Sequence, residues 1–228
     1  MEKIILIETS TSLCSVALAE GETVTAYRES SVPKAHASLT AVFVQEVLQE
    51  RGLKLSDCDA VCVSKGPGSY TGLRVGVSTA KGLCFGSGLP LIAVGTLDTL
   101  VAQAASESAS HFKYIIPMID ARRMEVYSAV FSPEGTQITE TTPVIVDENS
   151  FADYLVQGQC LFIGDGAAKC TDVIRHQEAS FLQCNPKASA MVQPALKALR
   201  NREFCDVAYF EPFYLKEFVA TVSKKKLF

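Results

Sequence analysis

Two apolar runs, KIILIET (Lys3 to Thr9) and KYIIPMID (Lys113 to Asp120), each open a stretch of chain built to the same plan. A strand-length run that is apolar without alternation reads as a strand buried on both faces. After the first, CSVALAEG (Cys14 to Gly21) and ETVTAYRES (Glu22 to Ser30) alternate, which makes a three-strand meander. A helical pattern follows over Ala37 to Arg51, with Gly52 placed to close it. A short strand, DAVCVS (Asp59 to Ser64), then leads into a helix reaching about Phe85. LPLIAVG (Leu89 to Gly95) reads as a strand, and Thr96 to Ala105 as a helix with Thr96 as its N-cap.

After KYIIPMID the plan restarts. MEVYSAVFSPEG (Met124 to Gly135) and TQITETTPVIV (Thr136 to Val146) read as strands, and Asn149 to Gln157 as a short helix. QCLFIGDGA (Gln159 to Ala167) is a strand ending in a glycine turn. A helix to about Arg175 and another over Lys187 to Arg202 complete the pattern. Both halves read β-β-β-α-β-α, and in both the first strand ends in a carboxylate, Glu8 or Asp120. Such repetition predicts an α/β fold of two stacked, duplicated halves with a cleft between them. The division falls at residues 1–106 and 107–228.

Composition narrows the partners. The chain has 228 residues, a net charge of −4 and 20% charged residues. An acidic chain is a poor solitary binder of nucleic acid, whose affinity comes mainly from neutralised phosphates. The dense basic run, Lys224-Lys225-Lys226, reads as a solvated terminus. The eight cysteines show no CxxC spacing and no Cys/His quartet, so buried reduced thiols are expected. MEKIILIETS is too short and too charged for a signal peptide, and no apolar run approaches a membrane span. A cytoplasmic protein is expected.

The stretch GPGSYTGLRVGVSTAKGL (Gly66 to Leu83) has the rhythm of a phosphate loop entering a helix. It matches neither GxxxxGK[ST] nor GxGxxG. Gly72, Gly76 and Ala80 form one row of small residues four apart, and Ser78, Gly82 and Gly86 form a second. Each interior glycine costs a helix about 1 kcal/mol against alanine. That cost implies that another backbone approaches closely. The Ala37 to Arg51 helix is apolar on two stripes, Leu39-Phe43-Val47 and Ala37-Ala41-Val44-Leu48. Two apolar stripes mean burial on two sides, either inside a compact two-half core or against a second polypeptide. The partner face is expected at Leu39, Phe43 and Val47 of this helix and at Leu73, Arg74, Gly76, Val77, Ala80 and Lys81 of the next.

The duplicated unit with an acid closing each first strand resembles the actin, sugar-kinase and heat-shock-protein ATPase superfamily. The resemblance implies a nucleotide between the halves. The turn at Glu8, Thr9, Ser10 and Thr11 would grip phosphate, Asp120 would help hold the metal, and Gly164, Asp165 and Gly166 would support the adenosine. Backbone N–H groups in a turn suit an anion, and a carboxylate suits hydrated magnesium. Each place also has an ordinary reading: turn residues at Thr9 to Thr11, a local cap at Asp165, and an ion-paired Asp120.

Over almost the whole chain the sequence is similar to the TsaB family. The resemblance rests on ILIETSTSLCSVAL, on GPGSYTGLRVGVSTAKGL, on IGDGA and on EPFYLKEFVA. It implies a non-catalytic bacterial subunit of the machinery that makes threonylcarbamoyladenosine at position 37 of tRNA. The implied partners are a TsaD-type transferase and a TsaE-type P-loop ATPase, with a homodimer when the chain is alone and tRNA met through the complex. No cofactor is expected to be tightly bound, and ATP or ADP with magnesium would belong to the complex interface. Family dimers use the two N-terminal-half helices. TsaD-like relatives hold a metal with a helical HxxxH pair, whereas here His36 is followed four residues on by Thr40. His36 is therefore expected to be structural, and no metal site is expected. Two enzyme readings compete: a stand-alone ATPase or kinase of the superfamily, and a metallopeptidase.

Overall fold

The computed structural model describes residues 1–106 and 111–216. Lys224-Lys225-Lys226 and the last four residues of EPFYLKEFVA lie outside the described residues. The first half contains β1 (Lys3–Glu8), β2 (Cys14–Glu20), β3 (Thr23–Ser30), α1 (His36–Glu50), β4 (Ala60–Ser64), α2 (Tyr70–Ser87), β5 (Leu91–Val94) and α3 (Thr96–Ser106). The second contains β6 (Tyr114–Asp120), β7 (Glu125–Ser128), β8 (Thr142–Ile145), α4 (Ala152–Leu155), β9 (Cys160–Gly164), β10 (Ala179–Gln183) and α5 (Val192–Asn201).

The strands form two five-stranded sheets, ordered β3-β2-β1-β4-β5 and β8-β7-β6-β9-β10. The two orders are equivalent. Each sheet pairs its meander antiparallel and adds two parallel strands on the far side of the first strand. Ile5 lies opposite Val61 in one sheet and Ile115 opposite Leu161 in the other.

Side chains alternate across a strand, so an unbroken apolar strand serves two cores. Ile5 and Ile7 of β1 enter a core covered by α1 and α2, while Ile4 and Leu6 enter one covered by α5. In β6, Ile115 and Ile119 meet α3, and Ile116 and Met118 meet a cluster with Leu155 and Ile174. The helices are therefore exchanged between halves. α3 follows the first sheet in sequence yet covers the second, and α5 follows the second sheet yet covers the first.

The second half departs from its expected elements. The strand expected over Met124 to Gly135 pairs only as β7, and Phe131 then bridges Ile115 and Gln137 separately. The next strand shortens to β8, an edge strand, where Pro143 is tolerated for lack of a required N–H. The helix expected to run to Arg175 is a single 3-10 turn at Ala168–Cys170. The helix expected from Lys187 starts as a 3-10 turn and becomes α5 at Val192, with Pro194 in the first turn where its missing N–H costs nothing. β10 was not anticipated. It is five residues long at a sheet edge, too short to carry a period. In the first half, Thr96 lies inside α3 and not at its cap, with its hydroxyl 2.8 Å from Ser64 Oγ.

Candidate functional site: two strand ends and an outward helix pair

Glu8 closes β1 at the centre of the first half and is 0% exposed. Thr9, Ser10 and Thr11 are buried with it. The Ser10 N–H donates to Glu8 Oε1 at 2.7 Å, whereas Glu8 Oε2, Thr9 Oγ1 and Ser10 Oγ are buried without a partner. Burial pushes the Glu8 carboxyl up to about 7, against the downward pull of the neighbouring Ser10, Ser64 and Thr9 dipoles.

The turn is covered by the chain's own loop and helix. The Ser69 N–H donates to Ser10 O at 2.6 Å, and the Ser69 hydroxyl accepts the Gly72 N–H as the N-cap of α2. A Cβ at Gly68 would strike Ser10 O, one at Gly72 would strike Thr9 O, and one at Gly76 would strike Thr9 Oγ1. These glycines let the first turns of α2 lie directly on the β1–β2 turn. His36 Nε2 lies 3.0 Å from Thr11 O and pins the same turn from α1, while the Thr40 hydroxyl donates to His36 O at 2.7 Å.

The second half repeats the arrangement. Asp120, at the end of β6, is ion-paired with Lys169, whose ammonium also donates to Glu125 O at 2.6 Å. Asp120 Oδ1 accepts the Arg122 N–H at 2.8 Å, and Asp165 Oδ1 accepts the Asp120 N–H at 2.9 Å. Burial raises the Asp165 carboxyl to about 6; the Asp120 N–H opposes the rise and the Asp120 charge adds to it. Gly164 has φ +133°, and a Cβ there would strike Met118 O. The Gly166 N–H donates to Met118 O at 3.0 Å. The GDG turn therefore packs on the end of β6. Asp120 is ion-paired, as its ordinary reading had it, and the partner is Lys169, which no local spacing singled out.

The helix pair sorts the expected partner residues differently. Phe43, Val47, Leu73, Gly76, Val77 and Ala80 are buried in this chain's own structure. Phe43, Val47, Val77 and Ala80 hold α1 and α2 on the first sheet. That packing buries all four within the protomer. Leu39 is half-buried against the same core. Lys81 donates to Ala208 O at 3.0 Å and Phe210 O at 3.1 Å, anchoring the chain after α5 along α2. Arg74 remains exposed, 4.9 Å over the Tyr70 ring.

The outward faces carry other residues: Ala37, Ser38, Ala41, Val42 and Gln45 on α1, and Thr71, Arg74, Ser78, Gly82, Phe85 and Gly86 on α2. Gln49 and Glu50 at the end of α1 are exposed too, so the charges on these exposed positions are Glu50 and Arg74. A Cβ at Gly82 or Gly86 would meet nothing within 4 Å. Phe85 is 88% exposed. It borders a shallow trough of about 610 Å³ lined also by Gly82, Asp206, Val207 and Ala208. The Ser78-Gly82-Gly86 row was visible in the sequence. Its separation from the Gly72-Gly76-Ala80 row depends on what lies under each, which spacing does not reveal.

The two-sheet architecture is the actin-like ATPase fold. The chain superposes on an inorganic polyphosphate/ATP-glucomannokinase from an Arthrobacter strain with a TM-score of 0.50 at 11% identity, over 89% of this chain and 100% of that one. A Pseudomonas aeruginosa protein described as similar to the peptidase YeaZ superposes with a TM-score of 0.84 at 25% identity, over 95% of this chain and 100% of that one. The family model described as "TsaD: tRNA N6-adenosine threonylcarbamoyltransferase" matches residues 29–224. The Escherichia coli tRNA threonylcarbamoyladenosine biosynthesis protein TsaB is 31% identical over 229 aligned positions, spanning 96% of both chains. Within the actin-like proteins related to tRNA threonylcarbamoylation, the chain belongs to the TsaB family, and its place is in threonylcarbamoyladenosine biosynthesis. No described helix is long and apolar enough to cross a membrane.

Proposed function

We propose that this chain is the non-catalytic subunit that binds and supports a TsaD-type transferase during threonylcarbamoylation of tRNA adenosine 37. The observation that carries the reading is the pair of glycines in α2 that internal packing does not require. Gly72 and Gly76 are explained by the turn beneath them, whereas Gly82 and Gly86 face open space. Each costs the isolated helix about 1 kcal/mol, and a closely approaching second backbone would offset it. The neighbouring outward faces are nearly uncharged and hold an exposed phenylalanine, which suits burial against protein and not against RNA.

In this reading α1 and α2 dock on the transferase through Ala41, Val42, Ser78, Gly82, Phe85 and Gly86. The same face serves a homodimer when the transferase is absent. A TsaE-type P-loop ATPase joins the pair, tRNA is met through the complex, and ATP or ADP with magnesium belongs to the complex. Deleting the gene and analysing bulk tRNA nucleosides by mass spectrometry tests the pathway. Loss of threonylcarbamoyladenosine is the expected result, and a wild-type level overturns the assignment.

A further inference from the structure

An actin-like fold carries the expectation of a magnesium nucleotide held between the two first-strand ends. The side chains at those ends do not fit one. On the first half, the turn that would face phosphate is already in contact with protein: Ser10 O accepts the Ser69 N–H, and glycines 68, 72 and 76 bring α2 against Thr9 and Ser10. Glu8 lies beneath that cover at 0% exposure. On the second half, the Lys169 ammonium pairs with Asp120 Oδ1 and also donates to Glu125 O, while the Asp120 side chain stays 46% exposed. The GDG turn spends Asp165 Oδ1 on the Asp120 N–H and the Gly166 N–H on Met118 O. Among the described residues no three His, Cys, Asp or Glu side chains converge to hold a metal ion.

We infer that this site is self-occupied: Lys169 is its resident cation, the Gly68 to Gly76 segment is its lid, and a magnesium nucleotide does not enter it. A lysine ammonium is a compact point charge that neutralises one carboxylate without a coordination shell. It therefore ties β6 to the turn after β9 whatever the magnesium concentration. The duplicated glycine motifs follow the same logic, since both bring a turn onto the end of a first strand. The inference concerns this chain's own residues and stands whether or not the chain docks on a transferase.

The test uses the full chain. Isothermal titration with magnesium ADP and magnesium ATP is expected to give no saturable heat. Exchanging magnesium for a chelator is expected to leave the melting temperature unchanged. Lys169→Met and Asp120→Asn are each expected to lower the melting temperature, and the double variant to lower it no further than the worse single one. Saturable one-site nucleotide binding that disappears in Asp120→Asn overturns the inference. So does a magnesium-dependent rise in the melting temperature of the unaltered chain. Additive effects of the two substitutions overturn the role given to Lys169. If Lys169→Met does not fold, the titration of the unaltered chain still decides whether the site is closed.

Discussion

Replacing Glu8 with Gln removes a proton-binding group from the interior with little change of shape. The folded carboxyl titrates near 7 and the unfolded one near 4.5, so between those values the folded chain holds the extra proton. Stability therefore falls as pH rises through that interval, by up to about 3 kcal/mol for a fully enclosed group. The benefit of the neutral carboxyl is complete below about 4.5 and is lost above about 7. Denaturant unfolding of the two proteins from pH 5 to pH 8 checks this. Glu8→Gln is expected to flatten the pH dependence, and an unaltered chain whose stability is already flat there would contradict the enclosed carboxyl. A second contrast concerns the glycines of α2. Gly76→Ala drives a methyl into Thr9 Oγ1 and is expected to destabilise by about 1–3 kcal/mol. Gly82→Ala meets open space and is expected to stabilise the protomer by up to about 1 kcal/mol. Thermal unfolding of the two variants should move in opposite directions; equal shifts would mean that the two rows do not differ.

The central strands were the most legible elements. β1 and β6 are unbroken apolar runs because both of their faces are buried, a requirement written into every residue from Ile4 to Ile7 and from Ile115 to Ile119. α1 was legible as a helix with two apolar stripes and α2 as one with two rows of small residues. Their docking side was not, because the stripe that packs on the sheet is as apolar as one that meets a partner. Phe43 and Val77 illustrate this: both look like interface anchors in sequence, and both are core. Val77→Glu would therefore report on folding. Glu placed there buries an unpaired charge and should lower the melting temperature of the protomer itself. The edge strands β8 and β10 and the 3-10 turn at Ala168–Cys170 were poorly legible, since short, half-exposed segments owe their form to neighbours distant in sequence. Lys169 was invisible for the same reason. Its partner Asp120 is brought to it by the pairing of β6 with β9.

The exchange of α3 and α5 makes the two sheets one folding unit. A chain ending at Ser106 would expose Leu97, Leu100 and Val101, which pack on the second sheet. It would also strip Met191, Val192, Ala195 and Leu196 from the first. Residues 1–106 expressed alone are expected to lack a cooperative thermal transition, while the full chain unfolds in one step by circular dichroism. Two separated transitions in the full chain would contradict that coupling. The segment after α5 lies along one side of α2, held by Lys81, and the exposed residues of α1 and α2 beside it are where a second protein can reach. The decisive measurement is co-purification of a TsaD-type transferase with Phe85→Glu, alongside circular dichroism of the variant by itself. An unchanged melting curve with the transferase lost from the eluate is the predicted result. A transferase retained at the level seen with the unaltered chain would show that this face is not where the partner docks.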